Sequence, residues 1–308
     1  MIQIRTLHLN ELPAWFDLVT AVFGVPRAYF ERHWSNDPWK DLNGIRVAVD
    51  EGQLVATVRV FRRRLWLGGV SVETGGVGEV CTRPEYRGRG LSGALLEDAL
   101  RFMTEQHMAL SLLFSGLHEH YGRYGWSVAP LELGVTMVEP GGAGPYEVRQ
   151  VEPADRAELA LLYEQFAPRF DGPLVRSPEY WASWWEAEQH NTWVARSDGT
   201  LVGYVSLRQR STGDLQVDDF AAAPGPDTGA LLRDLAGAAV AAGGTAQRRI
   251  YYPLAAFPGL EPLERAVVTG AMYRVVCPDA LCSEAARAFD RLRGVQVDRH
   301  VWWPVDGF

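Results

Sequence analysis

The sequence predicts an α/β (α+β) protein of two tandem domains, each a mixed, mostly antiparallel sheet flanked by helices. Three observations carry that expectation. An apolar, Gly-punctuated run at 70–80 leads through an Arg/Gly-rich turn into a helical pattern at 91–107, the order strand, turn, helix. Before it stand a strand pattern, two helical patterns and strand patterns spaced to pair antiparallel. After Pro140-Gly141-Gly142-Ala143-Gly144-Pro145, a linker by composition, the same order starts again. The boundaries expected are a first domain at 1–140, a linker at 141–145 and a second domain at 146–308. A chain of 308 residues is long enough for each to bury its own core.

Taken in order, Ile2 to Leu7 alternate as a strand does. Asn10 or Glu11 with Pro13 opens a helix whose Trp15, Leu18, Val19, Val22 and Phe23 recur at helical spacing and stop at Gly24. The second helix, 26–34, carries Tyr29, Phe30, His33 and Trp34 as an aromatic face, for the core or for a ligand cleft. Residues 45–49 and 54–61 flank a Glu51-Gly52 turn and read as a hairpin. In 91–107, Leu91, Leu95, Ala99, Phe102 and Met103 form one apolar stripe, which packs a helix on a sheet. A buried strand is expected at 110–116, and 128–139 is expected to close the first sheet.

In the second half the expected elements are a strand at 146–151, a helix at 153–166 and an aromatic helix from Ser177 or Pro178 through Trp185. Strands follow at 193–196, 201–209 and 214–220, a helix at 228–242, and strands at 249–253 and 271–276. The tail, 281–308, reads as one helix ending near Leu292 and a strand through Trp302-Trp303.

Composition excludes several classes. Hydrophobic residues at 47% and charged ones at 22% are ordinary globular proportions, and no run approaches the ~18–20 apolar residues of a membrane span. Cys81, Cys277 and Cys282 are too few and too unevenly spaced for a disulfide framework or a zinc site, so a reducing cytoplasm and no metal are expected. A net charge of −8 argues against nucleic acid as partner and favours a cationic ligand.

The chemistry concentrates at Arg87-Gly88-Arg89-Gly90-Leu91-Ser92. The free N–H groups at the start of a helix attract an anion, and glycines let its phosphates approach. Arg87 and Arg89 add charge-assisted donors. A P-loop is excluded, because no Lys-Ser or Lys-Thr follows the glycines. The dinucleotide fingerprint matches in letters, but that fold places its loop after the first strand of a parallel unit.

The pattern Arg87-x-x-Gly90-x-Ser92, preceded by Pro84-Glu85-Tyr86, resembles the CoA pyrophosphate loop of the Gcn5-related N-acetyltransferases (GNAT). Ser92 departs from the Gly or Ala usual at the last position. Downstream, Tyr121-Gly122-Arg123-Tyr124-Gly125-Trp126 resembles a signature of the tandem-domain acetyltransferases of the enhanced-intracellular-survival (Eis) type. The resemblance covers most of 1–277. It implies acetyl-CoA as co-substrate, pantetheine along Val80 and Thr82, and pyrophosphate on Arg87, Gly88, Arg89, Gly90, Leu91 and Ser92. It further implies Tyr121 as general acid. Glu79 is a candidate base or an edge-strand surface carboxylate, and His118 and His120 are candidate proton relays or structural groups. Arg62-Arg63-Arg64 is a solvated strand end or a contact for the CoA 3′-phosphate. Eis-type enzymes carry a third, sterol-carrier-like domain whose C-terminal carboxylate serves the site; only a short tail stands here, ending in Phe308, a candidate for that carboxylate.

In the second half the corresponding loop, Ala223-Pro224-Gly225-Pro226-Asp227-Thr228-Gly229, has lost the arginines, and Asp227 would repel a pyrophosphate. That half is therefore expected to be a degenerate copy that does not bind CoA. The function expected is direct acetyl transfer from acetyl-CoA to an amine of a small, cationic acceptor, such as a polyamine or an aminoglycoside-like compound. A non-catalytic acyl-CoA-binding or ligand-sensing protein on the same fold is the alternative. A monomer or small homo-oligomer, with no nucleic-acid or membrane partner, completes the expectation.

Overall fold

The computed structural model describes residues 1–142, 144–188, 191–244, 246–293 and 299–307. Two seven-stranded mixed sheets carry the helices. The first half begins with β1 (Gln3–Thr6), α1 (Leu12–Phe23), α2 (Arg27–Asn36) and β2 (Ile45–Asp50). Then come β3 (Gln53–Leu67), β4 (Val70–Thr82), α3 (Leu91–Glu105), β5 (Leu110–Phe114), α4 (His118–Gly122) and β6 (Ser127–Val128). Alternation along β2 builds the two cores of this half. Ala48 joins Val58 and Val60 under the α3 residues Leu95, Ala99 and Met103, whereas Val47 and Val49 face Trp15, Leu18 and Val19 of α1.

The β3–β4 hairpin runs longer than its sequence pattern suggests. The Arg62-Arg63-Arg64 triplet therefore lies within β3 and not at a solvated strand end. Arg63 is buried and donates to both carboxylate oxygens of Asp37 (3.1 and 3.3 Å), while Arg62 binds Gln106.

The second half comprises β7 (Leu131–Val138), β8 (Glu147–Gln150), α5 (Arg156–Phe166), α6 (Pro178–Tyr180), a π-helical turn Trp181–Trp185, α7 (Glu186–Glu188), β9 (Thr192–Ser197), β10 (Thr200–Gln209) and β11 (Leu215–Ala222). Then come α8 (Thr228–Ala242), β12 (Arg248–Pro253), β13 (Glu264–Val268), β14 (Ala271–Val275) and α9 (Ser283–Arg293). Strand β13 was not foreseen. Val301 to Trp303 pack as irregular buried chain where a strand was expected.

The halves exchange strands. Residues 128–139 do not close the first sheet: only Ser127–Val128 pairs there, and Leu131–Val138 crosses to the second sheet between β13 and β12. In return β14 inserts between β5 and β6, with Met272 opposite both Leu113 and Val128. Local alternation identifies a strand but not its neighbour, because pairing partners are non-local. No helix among the described residues is long and apolar enough to cross a membrane.

Candidate functional site

The site begins where β4 and β5 part. The two strands pair in parallel from Thr74↔Leu110 to Val77↔Leu113, and beyond Val77 the β5 side of β4 has no ladder partner. A register shift opposite β3, between Thr57↔Cys81 and Arg59↔Gly78, marks a bulge. Glu79 lies in it with φ of 51°, a left-handed conformation rare for a side-chain-bearing residue and typical of strained sites.

A cavity of about 280 Å³ opens in this wedge, lined by Val80, Thr82, Arg87, Ser92, His120 and Tyr121. The structure thus brings together the strand, loop and signature residues singled out from sequence. Gly90 caps α3 with φ of 76°, and the first helical bond returns from Ala94 N–H to the Gly90 carbonyl (3.1 Å). The N–H groups of Leu91, Ser92 and Gly93 therefore have no intrahelical partner and, with the helix dipole, suit an anion. Gly88 is left-handed too (φ 75°), while Arg87 and Arg89 hold loop carbonyls, Thr82 at 3.3 Å and Glu85 at 3.2 Å. Gly93 serves packing and not phosphate: a Cβ there would lie 1.9 Å from the Tyr124 hydroxyl. Ser92 Oγ lies 3.0 Å from His120 Nε2, so the hydroxyl that departs from the loop pattern ties α3 to α4.

Tyr121 is 8% exposed, and its hydroxyl has no hydrogen-bond partner among the described residues. Burial raises its pKa, so it stays protonated through the neutral range. Cys81, beside it in the cavity, is pushed up to about 12 by burial and is no ready nucleophile.

Glu79 is not an edge-strand surface group, for its side chain is 7% exposed and lies 3.5 Å from Arg59 Nη1. Arg59 in turn donates to Asp37 (3.0 Å). Burial raises the Glu79 pKa, against the pull of Arg59 and His33. One carboxylate oxygen, Oε2, has no hydrogen-bond partner. Its charge also acts on Tyr29 and on His33 of α2, two residues that line a second cavity.

That second cavity, about 490 Å³, was the feature least visible in sequence. It lies between the two halves, lined by Tyr29 and His33 of α2, Trp184, Glu188, Trp302 and Gly307 among others. The aromatic face on 26–34 was its one sequence signal. Phe308 lies outside the described residues. His118, the other candidate relay, has its Nε2 buried without a partner and lines neither cavity.

The second half has a matching wedge with different contents. Strands β11 and β12 pair only at Leu215↔Ile250 and Gln216↔Tyr251. The wedge is occupied by the tail. Arg176 donates two hydrogen bonds to Asp219 (2.8 and 3.0 Å) and two to Asp306 (2.9 Å each), all three side chains fully buried. At the start of α8, Asp227 Oδ1 accepts from Ala230 N–H at 2.7 Å and fills the position an anion would take.

Residues 3–129 match the family model of the acetyltransferase (GNAT) domain. An uncharacterized N-acetyltransferase of Streptomyces avermitilis is 26% identical over 175 residues, 53% of this chain and 41% of that protein. The N-acetyltransferase Eis of Mycobacterium tuberculosis is 27% identical over 125 residues, 37% of this chain and 31% of that protein. The chain thus spans less than half the length of the curated relatives it matches. A conserved protein of Enterococcus faecalis, described as a probable N-acyltransferase, superposes with a TM-score of 0.72 at 20% identity over 91% of this chain and 74% of its own. Its fold is the two-sheet arrangement seen here, and residues 3–129 of the chain carry the acetyltransferase (GNAT) domain that the family model describes.

Proposed function

We propose that this protein is an acetyl-CoA-dependent N-acetyltransferase acting on a small cationic amine. The observation that supports it best is the single cavity in which the splayed end of β4, the free N–H groups of α3 and the buried Tyr121 hydroxyl meet. Pyrophosphate is assigned to the loop 87–92 and pantetheine to Val80 and Thr82, which holds the thioester near Tyr121. The amine nitrogen attacks the thioester carbonyl, a C–N bond forms and the C–S bond breaks. Glu79, buried and with its pKa raised by that burial, takes the proton lost by nitrogen. Tyr121 gives its proton to the leaving thiolate and is reprotonated from solvent. With Cys81 held as a thiol, transfer needs no acyl-enzyme. The three unpaired cysteines fit a cytoplasmic setting, part of the same proposal.

Equilibrium dialysis of the full chain with acetyl-CoA, followed by thiol release across an amine panel, tests this reading. Binding with thiol release matched by N-acetylated product is expected. Binding without release under every amine would instead leave an acyl-CoA-binding or sensing protein, and absence of binding would reject both.

A further inference from the structure

We infer that the acceptor, within the acetyltransferase reading above on which this rests, is a monoamine carried on an aromatic or branched apolar body, and not a polycation. The 490 Å³ cavity is the size of a small-ligand site, and most of its wall is aromatic or aliphatic. Phe114, Trp184, Tyr251, Trp302, Leu133 and Val305 line it. Charge is scarce. Among the described residues Glu188 is the only carboxylate on the lining, and it shares itself with Arg32 (3.1 Å) and His33 (3.6 Å). Across the cavity Arg208 is a cation, and its charge is matched by Asp218 at 3.1 Å.

One ammonium can be met at the Glu188 end, with the faces of Tyr29 and Trp184 beside it. A second or third ammonium would lie against Trp302, Phe114 or the Arg208 guanidinium, desolvated and with no carboxylate among the described residues beside it, which is strongly unfavourable. The structure also holds a polar atom ready for that single amine. His33 Nε2 has no hydrogen-bond partner although its side chain is only 8% exposed, and it lies 3.6 Å from Glu188 Oε1, so the two groups together form the polar end of the cavity.

The test compares 2-phenylethylamine with spermidine and an aminoglycoside on the full-length protein, reading kcat/KM by thiol release and acetyl-CoA affinity by calorimetry. The arylalkylamine should be preferred by at least about tenfold, the discrimination that one well-matched apolar group supplies. Phe114 is 39% exposed, so Phe114→Ala should leave the fold and acetyl-CoA affinity unchanged. It should raise KM for 2-phenylethylamine by about tenfold and hardly move that for spermidine. Preference for the polycations, or equal KM in Phe114→Ala, would overturn the inference while leaving acetyl transfer intact. Loss of acetyl-CoA binding or of all thiol release would instead reject the underlying reading.

Discussion

Glu79 Oε1 lies 3.5 Å from Arg59 Nη1, yet its other oxygen has no hydrogen-bond partner, so the carboxylate is paired with charge but incompletely satisfied. Burial raises its pKa and lowers that of Arg59, both toward neutral forms. A base must be ionised, so activity should fall as pH drops through a value above the ordinary ~4.3 of a glutamate. Glu79→Gln should remove that acidic limb and lower kcat/KM by about 10²-fold or more. Stability has the opposite sign. A carboxyl with a raised folded pKa contributes stability below its unfolded value, lost as pH rises through the folded value. The melting temperature of Glu79→Gln relative to wild type should therefore climb as pH rises above the ordinary glutamate value of ~4.3. A flat difference, with an unaltered pH–rate profile, would show that Glu79 stays ionised throughout and takes no part.

Gly90 is the point at which the anion loop becomes a helix. A Cβ at this position meets nothing within 4 Å, but the backbone is left-handed, so a side chain costs about 1–2 kcal/mol of strain without a clash. Gly90→Asp should stay folded, with a small loss of melting temperature, and place a carboxylate where pyrophosphate is proposed to lie. A drop of at least about 100-fold in acetyl-CoA affinity is expected from the like charge. Unchanged affinity by calorimetry would remove the loop from the site.

Local signals made most elements legible. The 228–242 helix and the 281–292 helix were marked by apolar spacing, and the loop at 87–92 by glycines whose positive φ only a structure displays. What stayed hidden depends on distant partners. Leu131–Val138 and Ala271–Val275 alternate as strands do in any sheet, and nothing in that alternation says they trade places. The charge environment of Glu79 is set by Arg59, His33 and Asp37, three residues that only folding gathers. Trp302 and Trp184 reach one cavity from segments far apart in the chain, a relation with no periodic signature.

One acetyl-CoA should bind per chain. In the second half the helix start is already capped by Asp227, and Asp306 on the tail fills the wedge through Arg176 and Tyr180. A cofactor there would have to displace a buried, fully hydrogen-bonded ion network, which costs several kcal/mol. Calorimetric titration should give a stoichiometry of one, and two equivalent sites would contradict the degenerate reading of 146–308.

The strand exchange predicts that a fragment ending at 145 does not fold alone. Without β14 the edge of β5 is bare and β6 has no neighbour, while β7 would be left with neither β12 nor β13. Such edges aggregate. Fragment 1–145 should be insoluble or lack a cooperative melt, and co-expression with 146–308 should restore both. A soluble fragment that melts cooperatively would mean that the first half pairs its strands differently when isolated.

Tyr121 bears the proposed protonation of the leaving group. The sulfur that departs belongs to a thiol whose ordinary pKa is ~8.5, against ~10 for a phenol, and burial raises the Tyr121 value further. A weaker acid transfers its proton less completely, but it remains protonated through the neutral range. A hydrogen bond from the phenol to a developing thiolate is charge-assisted and strengthens as the C–S bond breaks. The ring is held edge-on by His120 and Trp126, with centroids 5.0 and 6.3 Å away, so the hydroxyl is positioned without needing a protein partner. Tyr121→Phe keeps those contacts and removes only the proton. Turnover should fall by about 10²–10⁴-fold while acetyl-CoA affinity stays within about twofold of wild type. The residual rate should lose the alkaline limb that deprotonation of a phenol imposes. If Tyr121→Phe turns over at near the wild-type rate when chemistry is limiting, solvent is the donor and Tyr121 serves only to shape the cavity.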